Sequence, residues 1–504
     1  MSDQDFIAAQ SGFSRVFLIE NRARPDHAHS FEGFMRAQAP SKGYGDVTKI
    51  ETPDPDNYGK FREVGRIRGE EERASITLEG RYAADLRSAM LRLANKGCAL
   101  DVQVHFGVCD PPSQFDAFLK ALILEDALIV NWEADDLGAL GSGDQAVVNE
   151  RIEVSAKLIY DVVPLKFAEK AEDVLTNEGI DVVICDDISC GDCTEESDGC
   201  QRIYVLTKAA GGSPGTAADI AYSLNGGQTW YAHDVDTLGA AEEPNALGCV
   251  GVYIVVVSVT SLSLHYAPKE DFKAGTGDPA FTEVATGFVV GKGPQDIWSL
   301  GNLAFVVGKG GYVYLLEDPT AGVTVLDAGV ATVDDLNAIH ALSARFAVAV
   351  GNNGAVVFTE NGVTWQAATV RPTGVGVHLK TVRAKSHKEW WVGTSNGRLY
   401  YTLDGGASWT EKAFPHSGVG VVRELEMASD TIFYMTHDTA APKGELLASW
   451  NGGYSWTLLP QTSAVLVDAD RFTAIAACKA DPHLLVAVGL DGAGSDGIVV
   501  VGDM

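Results

Sequence analysis

Tyr401–Trp409 reads YTLDGGASW. Two strand-forming residues run into Leu403-Asp404-Gly405-Gly406, and a Trp follows three residues on. Asp-Gly signals a tight hairpin turn, because the turn needs φ > 0, which Gly supplies and Asp tolerates. The stretch recurs as Tyr222–Trp230, YSLNGGQTW, and as Ala448–Trp456, ASWNGGYSW. Phe358–Trp365, FTENGVTW, is a copy one residue shorter. Each copy is Ser/Thr–x–Asp/Asn–Gly closed by Ser/Thr–Trp. The pattern assigns structural roles: Asn225, Asn361, Asp404 and Asn451 bond their own turns, and Trp230, Trp365, Trp409 and Trp456 bury apolar area between strands.

The spacing shows what is repeated. Trp365 to Trp409 is 44 residues, Trp409 to Trp456 is 47, and Trp230 to Trp365 is 135, three steps of 45. Periods of 40–50 residues built from short strands denote propeller blades. Two blades between Trp230 and Trp365 therefore keep the length without the motif: Gly248–Tyr266 is strand-rich, and Phe305–Tyr312 carries a strand–Val-Gly-x-x-Gly–strand rhythm. The same rhythm precedes the turns at Val348–Gly354 and Trp391–Gly397, and a last copy starts at Val486–Gly489. The count is seven blades, from about residue 201 to 504.

The four hairpins resemble the Asp-box, or BNR-type, motif. In families that carry it, each copy joins the two outer strands of a blade, on the periphery and away from the active face. The resemblance thus implies a fold and not an activity. Sialidases are one such family, and they add an Arg triad and a Phe/Tyr-Arg-Ile-Pro motif. Here the propeller's Arg residues are scattered, and Arg202-Ile203-Tyr204 is the nearest approach to that motif. A sialidase-like glycosidase is the least favoured expectation, and the chain is expected not to be an enzyme.

A chain of 504 residues implies two or three domains. Its net charge of −30 disfavours nucleic-acid binding through a basic patch. Met1–Arg15 lacks the order of a signal peptide, and the longest apolar run, Val250–Val259, reads as a buried strand and not a membrane span.

Residues 1–170 lie outside the repeat. Lys60–Ile67, Ala74–Tyr82, Ala99–Val108, Ala121–Trp132 and Val147–Val163 read as strands, Arg24–Tyr58 as a long loop or arm, and Ala83–Lys96, stopped by Gly97, as the one clear helix. The order loop–strand–strand–helix–strand–strand, with Gly65-Arg66-Ile67-Arg68-Gly69 and Ile76–Tyr82, resembles the tail-tube domain of long-tailed bacteriophages. The fold class is mainly β: an α+β, tail-tube-like β-sandwich with one helix (1–170), a cysteine-bearing linker (171–200), and a seven-bladed propeller (201–504); Lys166–Leu175, across the first boundary, reads as a short helix.

In the linker, Cys185, Cys190, Cys193 and Cys200 follow C-x4-C-x2-C-x6-C. Thiolates this dense can hold tetrahedral zinc or form two local disulfides. Zinc is the one cofactor the pattern raises. Cys98, Cys109, Cys249 and Cys478 read as small buried hydrophobes.

The tail-tube resemblance implies a structural virion protein made in the host cytoplasm. It would self-assemble into rings or tubes, and DNA would pass the lumen without specific binding. The propeller would decorate the exterior and contact a host glycan or surface protein, with no membrane partner. The alternative is a non-enzymatic binding or assembly-factor propeller, lectin-like or like those assisting photosystem assembly.

Overall fold

The structure, a computed structural model, describes residues 177–185, 202–208, 219–238, 243–260, 262–273, 279–284, 287–439, 444–450, 452–453, 456–459, 471–478, 484–490 and 497–503, together with the backbone of the strands named below between 13 and 169. The chain divides into two units, Met1–Pro164 and Leu165–Met504.

The second unit is seven four-stranded antiparallel sheets, each a blade. The first strands are Gly179–Cys185, Pro244–Val250, Pro294–Leu300, Leu336–Ser343, Leu379–Ala384, Val421–Met427 and Arg471–Ala477. Each neighbours the next, and the seventh neighbours the first, so together they surround the axis of a closed ring. The fourth strand of blade 7 is Lys166–Glu169, which pairs with Gly497–Asp503. Two expectations are corrected here. Lys166–Glu169 is a strand and not part of a short helix, because it fills the open edge of the last blade. Gly179–Cys185 is the first strand of blade 1, so the propeller starts before residue 201 and takes up part of the expected linker.

Each first strand carries the same two devices. A β-bulge sits at its start, placing an extra residue at Ile180, Asn245, Gln295, Asn337, Lys380, Arg423 or Thr473. Two residues later comes an aliphatic: Val182, Leu247, Ile297, Ile339, Val382, Leu425 or Ile475, all buried. The core is distributed accordingly. Successive apolar clusters each join strands of two neighbouring blades, as where Val350 and Val356 of blade 4 pack with Leu379, Val382 and Trp390 of blade 5.

The first unit contains an eight-stranded antiparallel sheet. Its order is Ala28–Glu32, Phe13–Ile19, Leu100–Val108, Lys120–Ala134, Asn149–Ala156, Ala74–Arg81, Phe34–Ala37, with Leu158–Val162 also on Lys120–Ala134. Thr48–Pro53 and Phe61–Ile67 form a separate hairpin. The expected loop Arg24–Tyr58 therefore contains three strands, whose backbone groups are satisfied by pairing rather than by solvent. Ala83–Lys96, expected as a helix, lies outside the described residues, as do Cys98 and Cys109.

Candidate functional site: the inner ring and the loop rim

The hairpins were the first candidates. In the turn of Tyr401–Trp409, Thr402 Oγ1 donates to Asp404 Oδ1 at 2.7 Å and accepts from Gly406 N at 3.0 Å. Asp404 also accepts from Ser408 N at 2.8 Å and Ser408 Oγ at 2.6 Å. Burial alone would raise the Asp404 carboxyl, but the bonds from Ser408 and Thr402 outweigh it and hold it below the ordinary range. Asn225 and Asn361 accept from Thr229 N at 2.9 Å and Thr364 N at 2.8 Å in the same way. Asn451 lies outside the described residues. Trp230, Trp365 and Trp456 are buried, while Trp409 is half-buried and its Nε1 donates to Val370 O at 2.9 Å. The second glycine of the turn is required at Gly453: φ is +86°, and a Cβ there would lie 2.4 Å from the Trp391 ring of the preceding blade.

The cysteines separate. Cys185 forms a disulfide with Cys249, joining the first strands of blades 1 and 2. Cys185 is thus withdrawn from the expected four-cysteine unit, whose other members, Cys190, Cys193 and Cys200, lie outside the described residues. Strand geometry decides this pairing: Cys185 ends its strand beside the next blade, with Cα atoms 6.1 Å apart. Cys249 and Cys478 are also disulfide-bonded and not free thiols. Among the described residues no group of three or more His, Cys, Asp or Glu is placed to hold a metal ion.

Polar residues of the first strands bond one blade to the next. Asp181 Oδ2 accepts from Leu247 N at 2.7 Å, Asp296 Oδ2 from Ile339 N at 2.8 Å, and Thr381 Oγ1 from Leu425 N at 3.1 Å. These join blades 1–2, 3–4 and 5–6. Asn245 Nδ2 donates to Gln295 O at 2.6 Å and Asn337 Nδ2 to Leu379 O at 2.8 Å, joining blades 2–3 and 4–5. Thr473 Oγ1 donates to Gly179 O and joins blade 7 back to blade 1. All six bonding residues sit at the bulge: the bulged residue itself in blades 2, 4 and 7, and the next residue in blades 1, 3 and 5.

Farther along the same strands lies an ionic cluster. Arg383 donates to Glu426 Oε2 from Nε at 3.0 Å and from Nη2 at 2.7 Å, and Nη2 is 3.0 Å from Glu424 Oε1. Its guanidinium lies 4.7 Å from the Trp298 ring centre, and Trp298 packs on His340. Burial opposes the charge of Arg383, but Glu426 and Glu424 outweigh it and push its pKa up. Burial raises Asp296 to about 6, against the opposing Ile339 N–H and Arg383. Burial likewise raises Glu424 to about 7, against Arg383. Asp181 is raised by burial and by the charges of Asp296 and Glu424. These residues were missed from sequence. Aligning the first strands would have found them, since each stands one or three places past the bulge.

The connections between blades form an interlocked rim at the end of the ring where the first strands begin. In blades 3–5 the turn after the second strand is bonded to the connection entering its own blade and to the one entering the next. Lys309 N donates to Gly293 O at 3.1 Å, and Gly310 N to Asp335 Oδ1 at 2.7 Å. Asn352 N donates to Asp335 O at 2.8 Å, and Arg371 bonds Asn353 O at 2.7 Å and Asp334 at 3.1 Å. Ser395 N donates to His378 O at 2.8 Å, and Gly418 N to Gly397 O at 2.5 Å.

No protein-family model and no curated protein matches the chain. Among solved structures, it is similar to YCF48 bound to D1 peptide, with 15% identity, a TM-score of 0.49, and coverage of 68% of this chain and 96% of that one. YCF48 from Cyanidioschyzon merolae is similar at 11% identity and a TM-score of 0.48, covering 67% and 98%. The WD40 propeller domain of Doa1 is similar at 10% identity and a TM-score of 0.45, covering 67% and 98%. The assignment to seven-bladed propellers stands on the seven sheets themselves.

Proposed function

We propose that this chain is a non-enzymatic binding propeller, in the manner of an assembly factor, that holds a macromolecular partner on its loop rim. The observation that carries this is the rim of blades 3–5. Its loops are fixed by backbone bonds, yet Val290, Val330, Val333 and Val375 are 86%, 88%, 82% and 87% exposed. Single exposed valines need no explanation, but four on consecutive rigid loops mark a contact surface. The polar residues of the inner ring are meanwhile engaged in joining blades, which suits a scaffold better than a reaction centre. The test is selection from a random peptide display library on purified protein. Selected peptides should bind the wild type and lose binding to a Val330→Ser, Val333→Ser, Val375→Ser variant. Hydrolysis of a fluorogenic sialoside that disappears on Asp296→Asn would instead establish an enzyme.

A second reading, the virion tail-tube subunit, is favoured by one observation. Among the described residues the hairpin Thr48–Pro53 with Phe61–Ile67 pairs with no other strand, and so has edges to offer a neighbouring subunit. That role brings rings or tubes, a lumen passing DNA, an exterior propeller touching host glycan or surface protein, and a virion location. Negative-stain images decide it: rings or tubes support it, and single particles under all salt conditions remove it.

A further inference from the structure

We infer that the rim of blades 3–5 takes an extended acidic peptide with small apolar side chains. This deepens the binding role proposed above and rests on it. The first observation is the row of valines. Val290 lies on the connection entering blade 3, Val330 and Val333 on that entering blade 4, and Val375 on that entering blade 5. Sheets packed face to face lie about 10 Å apart, so three successive blades span about 20 Å, the reach of about six residues of extended chain.

The second observation is charge. The chain has 68 acidic and 38 basic residues, yet the rim reverses that balance. Its acids, Asp334 and Asp335, are already committed to Arg371, Asn353, Asn352 and Gly310 N. Lys309 stands between the connections carrying Val290 and Val330, and no ion pair holds it among the described residues. Lys380, exposed at the bulge that follows the loop of Val375, has its pKa lowered by partial desolvation and by the charge of Arg423. On a chain of −30, Lys309 and Lys380 have no carboxylate partner among the described residues, and an acidic segment would supply one. Carboxylates would meet Lys309 and Lys380 while alternate apolar side chains cover the valines.

Fluorescence anisotropy with the full chain tests this, using fluorescein-labelled decapeptides that alternate Glu with Val, Lys with Val, or Glu with Ser. The Glu–Val peptide is expected to bind, and to weaken at least tenfold in Lys309→Glu/Lys380→Glu, in Val330→Ser/Val333→Ser/Val375→Ser, and between about 50 and 500 mM salt. The Lys–Val and Glu–Ser peptides should bind at least tenfold more weakly. All substituted residues are exposed, so unchanged melting shows that the variants fold. Equal binding of the Lys–Val or Glu–Ser peptide would overturn the proposal. So would Glu–Val binding that ignores the variants. So would self-association that the variants abolish with no peptide binding, which would make the occupant a second copy. Peptides selected from the display library that bind elsewhere would leave the binding role standing while this site fell.

Discussion

At the residue scale, burial ranks the closing tryptophans. Trp456 is fully buried among Trp391, Phe433 and Leu447, whereas Trp409 is half-buried. Trp456→Ala should therefore cost about 3–5 kcal/mol in urea unfolding, the range for emptying a large aromatic site, and Trp409→Ala distinctly less. Equal losses would show that the turn and not the packing sets the cost. Arg383 offers a second measurement. Glu426 accepts two hydrogen bonds from the buried Arg383, which keeps Glu424 as a carboxylate partner, so Glu426→Gln should destabilise by about 1.5–3 kcal/mol, the range for hydrogen bonds to charged groups. The double variant Arg383→Met/Glu426→Leu should recover much of that loss; a double variant worse than either single one would mean that the pair is not coupled.

At the element scale, the disulfide staples two first strands across a sequence separation of 64 residues. Loop-closure entropy makes such a crosslink worth roughly 4 kcal/mol, so Cys185→Ser/Cys249→Ser should lower stability by about that amount under non-reducing conditions. Because Cys478 is disulfide-bonded too, the comparison is made with both proteins reduced: wild type and variant should then melt alike, and a difference that persists would show that the bond is not the cause. The hairpin turns were legible because they need local chemistry: a carboxylate or amide, a positive-φ glycine and a Trp at fixed offsets. The seven first strands were not read as a set. Their common feature is a bulge, a polar residue and then an aliphatic, and that pattern acquires meaning only when the neighbouring blade stands beside it. Cys185 shows the same limit. Nearness in sequence suggested Cys190, Cys193 and Cys200, but Cys249 lies one blade away in space and 64 residues away in the chain. Lys166–Glu169 was misread because a four-residue edge strand has no period to display.

At the scale of the molecule, the acids near the axis set an unusual pH response. Asp296 and Glu424 are raised to about 6 and about 7, so the folded state holds their protons more tightly than the unfolded chain does. Their favourable contribution is complete below their unfolded values, near 4, and is lost as pH rises through 6 to 7. The urea midpoint should thus increase as pH falls from 8 to 5.5, and Asp296→Asn/Glu424→Gln should flatten that trend. A midpoint that falls over the same interval in the wild type would contradict it. Glu445 and Asp404 act with the opposite sign. Burial raises both, but hydrogen bonds from His437 and His416, and from Ser408 and Thr402, hold them low, so their contribution is lost only below about pH 4.5.

The strand that completes blade 7 has a consequence for how the protein is made. Lys166–Glu169 leaves the ribosome about 300 residues before its three partner strands, the last of which ends at Asp503. At about 5–20 residues per second, it waits roughly 15–60 s as an unpaired edge. Blades 1 to 6 can form in order as they emerge, each on the one before. The ring cannot shut until Gly497–Asp503 has been made. Closure therefore waits on the last strand of blade 7, and a nascent chain stalled before residue 497 carries two open ends at once: the waiting strand and the exposed face of blade 6. Until residues 497–503 emerge, such a chain presents the unpaired edges and exposed apolar surface that favour misassociation.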